Sequence, residues 1–271
     1  MKIYNDKYYT PIEIANHCWE KVDEIIGLDN ITEIIEPSVG GGSFYHYHRK
    51  PDIGYDILPE CNYKGVIKGN YLSQWLDYKK GRLVIGNPPY GDKNQLTIKF
   101  YDFSCYISYY AAFILPINQL NTSQTLYKFD LIYSEDLGIQ NYSGVELHCC
   151  FNIYKRPTNG LNDKPNNKYE WIKIHRQDSK NYDSLEDYDL RMCYWGNGSA
   201  GKILNKEDKK YSGEYKIKFF IEDNDLKNRI IEFLKTYNWK SQFKSISAIR
   251  IKNYHIIDLI IKNFKELNDR E

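Results

Sequence analysis

The chain has few of the features that would announce metal, redox or membrane chemistry. Its six cysteines, at 18, 61, 105, 149, 150 and 193, contain no CxxC pair. That excludes the usual zinc-finger and thioredoxin-like spacings and reads as a set of reduced thiols in a cytoplasmic protein. No apolar run reaches 18 residues, so no membrane-spanning helix is expected. The opening MKIYNDKYY lacks the apolar stretch of a signal peptide. A cytoplasmic protein without a membrane partner is the expectation. No internal repeat or low-complexity segment is visible. The net charge is only +1, too small for bulk attraction to nucleic acid.

What the chain does have is punctuation. The apolar run Leu83-Val84-Ile85-Gly86 reads as a buried parallel strand. Asn87-Pro88-Pro89-Tyr90 stops it, since proline neither donates to a sheet nor bends freely. An amide and an aromatic ring are thereby fixed at the carboxyl end of a strand, where open α/β sheets bind ligands. The Asn side chain and a prolyl carbonyl offer two acceptors, and Tyr offers a flat face. Together they suit a planar amino group, such as N6 of adenine or the amide of glutamine.

Three more strand tips precede it. Ile31 to Glu36 is a β-rich run that leads into Pro37-Ser38-Val39-Gly40-Gly41-Gly42-Ser43-Phe44, where glycine admits close backbone approach. Ile53-Gly54-Tyr55-Asp56-Ile57 is a second short strand with a carboxylate at its tip, placed to accept from ribose hydroxyls. Val66-Ile67 leads into Lys68-Gly69-Asn70-Tyr71-Leu72. Ala111 to Pro116 reads as a fifth strand, Leu96 to Tyr110 as the helix before it, and Leu126 to Ile132 as a strand or short helix. The pattern implies a mixed, mainly parallel sheet flanked by helices.

These motifs, in this order, resemble the DNA N6-adenine methyltransferases with gamma motif order found in bacterial or phage restriction-modification systems. Tyr9-Thr10-Pro11 matches the family's N-terminal motif, a Thr-Pro opening a helix. Glu36, Pro37, Gly40, Gly42 and Phe44 match its E-P-x-x-G-x-G-x-F loop. Asp56 with Ile57 matches the acidic tip of strand two, and Asn70-Tyr71 the third motif. The family usually has Asp where this chain has Asn70, so the charge is lost and the acceptor kept.

The resemblance spans about residues 7 to 156. It implies a Rossmann-like class I S-adenosylmethionine-dependent fold over 1–156, with these residues holding S-adenosylmethionine. It also implies catalysis by Asn87, Pro88, Pro89 and Tyr90, methylation of N6 of a flipped-out adenine, and double-stranded DNA as partner. Tyr90 would stack on one face of the base. In relatives a second aromatic lies near the end of the strand matching His148 to Arg156, which nominates Tyr154 for the other face, Phe151 pointing oppositely. Ordinary sheet packing is the alternative for Tyr154. Lys155 and Arg156 are candidates to hold a phosphate at the mouth of the site, or else a solvated strand end.

Pro157 to Asn167 is rich in Pro, Asn and Gly and reads as a boundary. Beyond it, 157–271 reads as a small α+β target-recognition region. Strands are expected at Tyr169–His175, Met192–Tyr194 and Tyr215–Ile221, and helices at Asp225–Lys235 and His255–Leu267. Lys202, closing a glycine-rich loop whose spacing is not that of a Walker motif, is a candidate phosphate contact, as is the basic, aromatic stretch from Trp239 to Ser247. Residues 1–156 hold 15 basic and 18 acidic side chains, and 157–271 hold 22 and 18. The basic excess thus falls where a DNA-contacting part is expected. No nuclease motif of the PD-(D/E)xK type stands out, so cleavage would need a cognate endonuclease, and recognition a specificity partner if the short C-terminal region does not suffice. Methylation of RNA adenine or protein glutamine, or a non-catalytic nucleic-acid-binding subunit, are the other readings. The glycine loop, which begins E-P and not D-x-G, argues against glutamine.

Overall fold

The computed structural model describes residues 8–166, 168–177, 187–196, 198–208, 213–242 and 249–267. The chain forms two compact units, 1–164 and 165–271.

In the first unit, strands that are apolar on both sides are buried on both sides. The sheet runs β1 (Glu33–Glu36), β2 (Ile53–Asp56), β3 (Val66–Lys68), β4 (Arg82–Gly86), β5 (Tyr110–Pro116), β6 (Asp130–Tyr142) and β7 (Val145–Lys155). Their spatial order is β3-β2-β1-β4-β5-β7-β6. The first five are mutually parallel, whereas β7 is antiparallel to both β5 and β6. The mixed, mainly parallel Rossmann-like sheet implied by the sequence is therefore present. The chain leaves β1 toward β2 and β3 and then crosses to β4, so a switch point lies between β1 and β4.

Alternation along the strands assigns the two faces. Ile34, Leu83, Ile85, Ala112 and Ile114 pack under α1 (Ile12–Ile26) through Ala15, Cys18, Trp19 and Val22. Ile35, Val84, Ala111, Phe113 and Leu115 pack against α2 (Gln95–Ile107) through Phe100, Tyr101 and Cys105. Gly27 ends α1 with φ 79°, a left-handed turn that glycine reaches without a Cβ clash.

Two expectations need correction. Helices do not flank every crossover: the connections from β1 to β2, β2 to β3 and β3 to β4 contain only loops and 3₁₀ turns. They are sixteen, nine and thirteen residues long; a helical crossover needs a dozen or more, so only the second is plainly too short for one. The second correction is a continuous β6–β7 hairpin where the sequence suggests only a strand or short helix at Leu126–Ile132 and a separate strand at His148–Arg156. Its tip, Ser143-Gly144, has φ of 55° and 86°, the positive pair that closes a two-residue hairpin.

The second unit has a four-stranded antiparallel sheet, ordered β10 (Ile203–Leu204), β9 (Leu190–Cys193), β11 (Glu214–Phe219), β8 (Ile172–Gln177). Helices α3 (Asn224–Thr236) and α4 (Asn253–Asn263) share its core through Leu226, Ile230, Leu234, Ile256 and Ile260. Asp223 caps α3, its Oδ1 accepting from the backbone of Asp225 and Leu226. Trp239 is buried here. Much of the basic stretch it opens, 243–248, lies outside the described residues, as does Asn197 before the Lys202 loop. Lys202 itself is exposed.

Candidate active site at the strand tips

One cavity gathers the carboxyl ends of the first four strands. Pro37, Ser38 and Gly40 come from the β1 tip, and Asp56, Ile57 and Leu58 from β2. Gly69, Asn70 and Tyr71 come from β3, and Asn87, Pro88 and Pro89 from β4. Tyr8 and Tyr9 close it from the N-terminal segment and Phe100 from α2. Ten of the residues singled out in the sequence thus meet at one wall. Tyr8, Ser38, Leu58, Gly69 and Phe100 were not singled out.

Asp56 braces two loops. Its Oδ2 accepts from Gly40 N–H and its Oδ1 from Leu58 N–H, both at 2.8 Å. Each carboxylate oxygen keeps a further lone pair. Asn70 accepts from Leu72 N–H at 3.1 Å and caps the turn after β3, its Oδ1 likewise retaining a lone pair. Tyr71 is itself almost wholly buried. Its ring packs on Phe100 and Phe103, and its hydroxyl meets Ser104 Oγ at 2.8 Å.

The glycine loop is shaped partly by the protein itself. The Tyr9 ring lies over Gly40 and Gly41, where an added Cβ would meet it at 3.4 Å. At Gly42, with φ 84°, a Cβ would stand 2.5 Å from the Tyr63 ring. Its positive φ and the Tyr63 ring are each sufficient reason for glycine at 42. Phe44 is also corrected: its ring is buried under α1, and its carbonyl accepts from Trp19 Nε1 at 3.0 Å. It anchors the loop and does not reach the cavity. Pro11 opens α1, its carbonyl accepting from Ala15 N–H.

Glu36 sits beneath the loop, 2% exposed, and its Oε2 has no hydrogen-bond partner among the described residues. Burial, and then the nearby Asp56 carboxylate, push its carboxyl well above the usual range near 4.5. The folded state therefore holds a proton that the unfolded chain releases. Stability is full below the unfolded value and falls as pH rises toward the raised one. Glu36→Gln is expected to flatten that decline. Thermal melts of the ligand-free protein from pH 5 to 8 test it; an unchanged slope would contradict the assignment.

The loop after β4 has a distinct accounting of acceptors. Ser38 Oγ donates to the Asn87 carbonyl (3.0 Å), Thr97 Oγ1 to that of Pro89 (3.3 Å) and Leu96 N–H to that of Tyr90 (3.2 Å). Pro88 alone of the four has a carbonyl without a partner among the described residues. Asn87 Nδ2 donates to the Tyr8 carbonyl (3.3 Å) and Thr10 Oγ1 (3.2 Å). A carbonyl can only accept, so the amide's orientation is fixed and Oδ1 is the end left open. Thr10, buried, holds Asn87 rather than the cavity; its own carbonyl accepts from Ser43 Oγ at 2.6 Å.

Tyr90 is anchored at its tip, the hydroxyl lying 3.4 Å from Cys149 Sγ. Burial, with Cys149 beside it, raises this phenol's pKa well above its ordinary value. The residue as a whole is half-buried. Tyr8 stacks on it, centroids 6.1 Å apart and planes at 27°.

The β7 candidates lie elsewhere. Cys149 is the β7 residue paired with Pro116 at the site end, whereas Tyr154 and Lys155 pair with Ala111 and Tyr110 at the opposite end. Tyr154 is fully buried against Tyr101, 5.1 Å centroid to centroid, and Asn152 Nδ2 donates to its hydroxyl at 2.9 Å. It is a core residue and cannot stack on a base. Arg156 donates to the carbonyls of Cys105 and Ser108, capping the end of α2, and stacks over Tyr78. Lys155 is exposed, over the Tyr109 ring. Neither cation stands at the mouth of the site. Among the described residues no cluster suits a metal ion and no helix is long and apolar enough to cross a membrane.

No protein-family model matches the chain, and no curated protein matches its sequence. Solved structures resemble it in part. A Pyrococcus horikoshii protein assigned as an RNA methyltransferase aligns at 13% identity and TM-score 0.44, over 58% of this chain and 89% of its own. A Listeria monocytogenes protein assigned as a class I S-adenosylmethionine-dependent methyltransferase aligns at 14% and 0.45, over 60% and 65%. The 23S rRNA methyltransferase ErmE aligns at 12% and 0.40, over 58% and 72%. These scores, all under 0.5, add no weight of their own; the fold follows from the strand order.

Proposed function

We propose that this chain is an S-adenosylmethionine-dependent methyltransferase acting on N6 of an adenine flipped out of duplex DNA. The observation that carries the reading is the pair of open acceptors, Asn87 Oδ1 and the Pro88 carbonyl, on adjacent residues of a cavity wall. An exocyclic amine has two hydrogens, and these are two acceptors for them. When both are accepted, the amine nitrogen leaves the ring plane and its lone pair is no longer delocalised.

The cavity's chemistry fits the cofactor. Asp56 has lone pairs for ribose hydroxyls, Asn70 has an acceptor for an amine, and Ile57, Leu58 and Phe100 supply apolar wall for an adenine ring. Bound there, S-adenosylmethionine supplies an already electrophilic methyl group, so the protein needs to position the amine and not to deprotonate it strongly. Tyr90, held at Cys149, supplies a stacking face worth about 1–3 kcal/mol. A base within a duplex cannot reach such a wall, so the target nucleotide must flip.

Calorimetric titration with S-adenosylmethionine tests the cofactor half; one site per chain is expected, and absence of binding would sink it. Thr10 acts through Asn87. Thr10→Val is expected to lower kcat about 2- to 12-fold, the worth of one neutral hydrogen bond, with Thr10→Ser restoring it and cofactor affinity unmoved. An effect on cofactor affinity alone would overturn this positioning role.

A further inference from the structure

We infer that Tyr8 is the second wall of an aromatic clamp, so that the flipped base is held between Tyr8 and Tyr90. The inference rests on the adenine reading above and names the residue that supplies its missing face.

β7 does not supply that face. Its two aromatics, Phe151 and Tyr154, are each fully buried in the core. At the site end the strand presents Leu147, His148 and Cys149. Tyr8, by contrast, already lies near-parallel to Tyr90 and lines the same cavity as Asn87 and Pro88.

The spacing is close to what a base needs. A flat base between two rings requires about 6.8 Å, twice the ~3.4 Å stacking distance. The ring centroids stand 6.1 Å apart, so the clamp must widen by at least ~0.7 Å. The two walls are held differently. Tyr90 is fixed at its hydroxyl by Cys149. Tyr8 is fixed at its backbone: its carbonyl accepts from Asn87 Nδ2, and the next N–H, of Tyr9, donates to Ser143 Oγ on the hairpin tip at 3.2 Å. Its ring can therefore turn about the side-chain torsions while its backbone keeps hold of Asn87. Closing the clamp and orienting the acceptor are tasks of one residue, done by different atoms.

This division makes the side chain separately testable, because Tyr8→Leu leaves the carbonyl that holds Asn87 in place. Two quantities are measured for wild type, Tyr8→Leu and Tyr8→Phe. One is kcat/KM for methyl transfer to duplex DNA. The other needs no turnover: affinity for a fluorescent single-stranded adenine 12-mer with S-adenosylhomocysteine present. Tyr8→Leu is expected to lower both about tenfold, as loss of one stacking partner does, with S-adenosylmethionine affinity within twofold of wild type. Tyr8→Phe, which keeps the ring, restores both. Loss of cofactor affinity matching the loss of transfer would overturn the clamp. If wild type methylates DNA adenine and Tyr8→Leu does so equally well, the clamp fails and the function stands. If wild type methylates no DNA yet Tyr8→Leu still weakens 12-mer binding, the function fails and the clamp stands. If wild type neither methylates DNA nor binds the 12-mer, both fall.

Discussion

Asn87→Ala is expected to lower kcat for methyl transfer by about 10²–10³, the cost of removing one preorganised group from a site of charge development. The size follows from what the side chain does. Its Nδ2 is engaged by the Tyr8 carbonyl and Thr10 Oγ1, so its Oδ1 is presented in one orientation before any substrate arrives. Alanine removes that acceptor and leaves the Pro88 carbonyl alone, so the amine stays nearer its planar, delocalised form. The Asn87 backbone carbonyl, bonded by Ser38 Oγ, remains, so the loop is expected to keep its course. Affinity for S-adenosylmethionine should stay within a few-fold of wild type. Single-turnover rates beside calorimetric affinities separate the two effects. Equal loss of both would mean that Asn87 shapes the cofactor site instead.

The mirror-image result is expected at Asp56. Asp56→Ala should weaken S-adenosylmethionine binding about 10- to 150-fold, the range for hydrogen bonds to a charged group. Part of the loss is direct, through acceptors for ribose hydroxyls. Part comes from the protein, since Gly40 and Leu58 lose the carboxylate that their N–H groups now share. Asp56→Asn, which keeps one acceptor, should fall between. With saturating cofactor, kcat should recover much of its wild-type value. Wild-type affinity in Asp56→Ala would show that the carboxylate braces loops and touches no ligand.

The tips of the parallel strands were legible because burial on both faces gives continuous apolar runs, and the exits carry Gly or Pro where the backbone must turn. Leu83 to Gly86 followed by two prolines leaves little choice. Strand direction was not legible. Tyr154 sits near the end of its strand in sequence, and in a parallel strand that end would face the site. β7 is antiparallel, so Tyr154, Lys155 and Arg156 arrive at the far end. Nothing in a strand's own composition encodes the sense of its neighbour. The β6–β7 hairpin was missed for a related reason. β6 is an edge strand with residues of mixed exposure, which gives no apolar run to find. Ser143-Gly144 was the available signal, a turn dipeptide between two β-rich stretches. The roles of Tyr8 and Thr10 depend on contacts nearly eighty residues away in sequence, which pattern alone does not show.

The most direct test of the account is transfer of labelled methyl from S-adenosylmethionine to duplex DNA of mixed sequence, followed by nucleoside analysis. Single-stranded RNA and bulk protein run in parallel, with Asn87→Ala as control. The expected result is N6-methyladenine in DNA from wild type and nearly none from Asn87→Ala. Label appearing only in RNA or protein, or the same yield from Asn87→Ala, would contradict it.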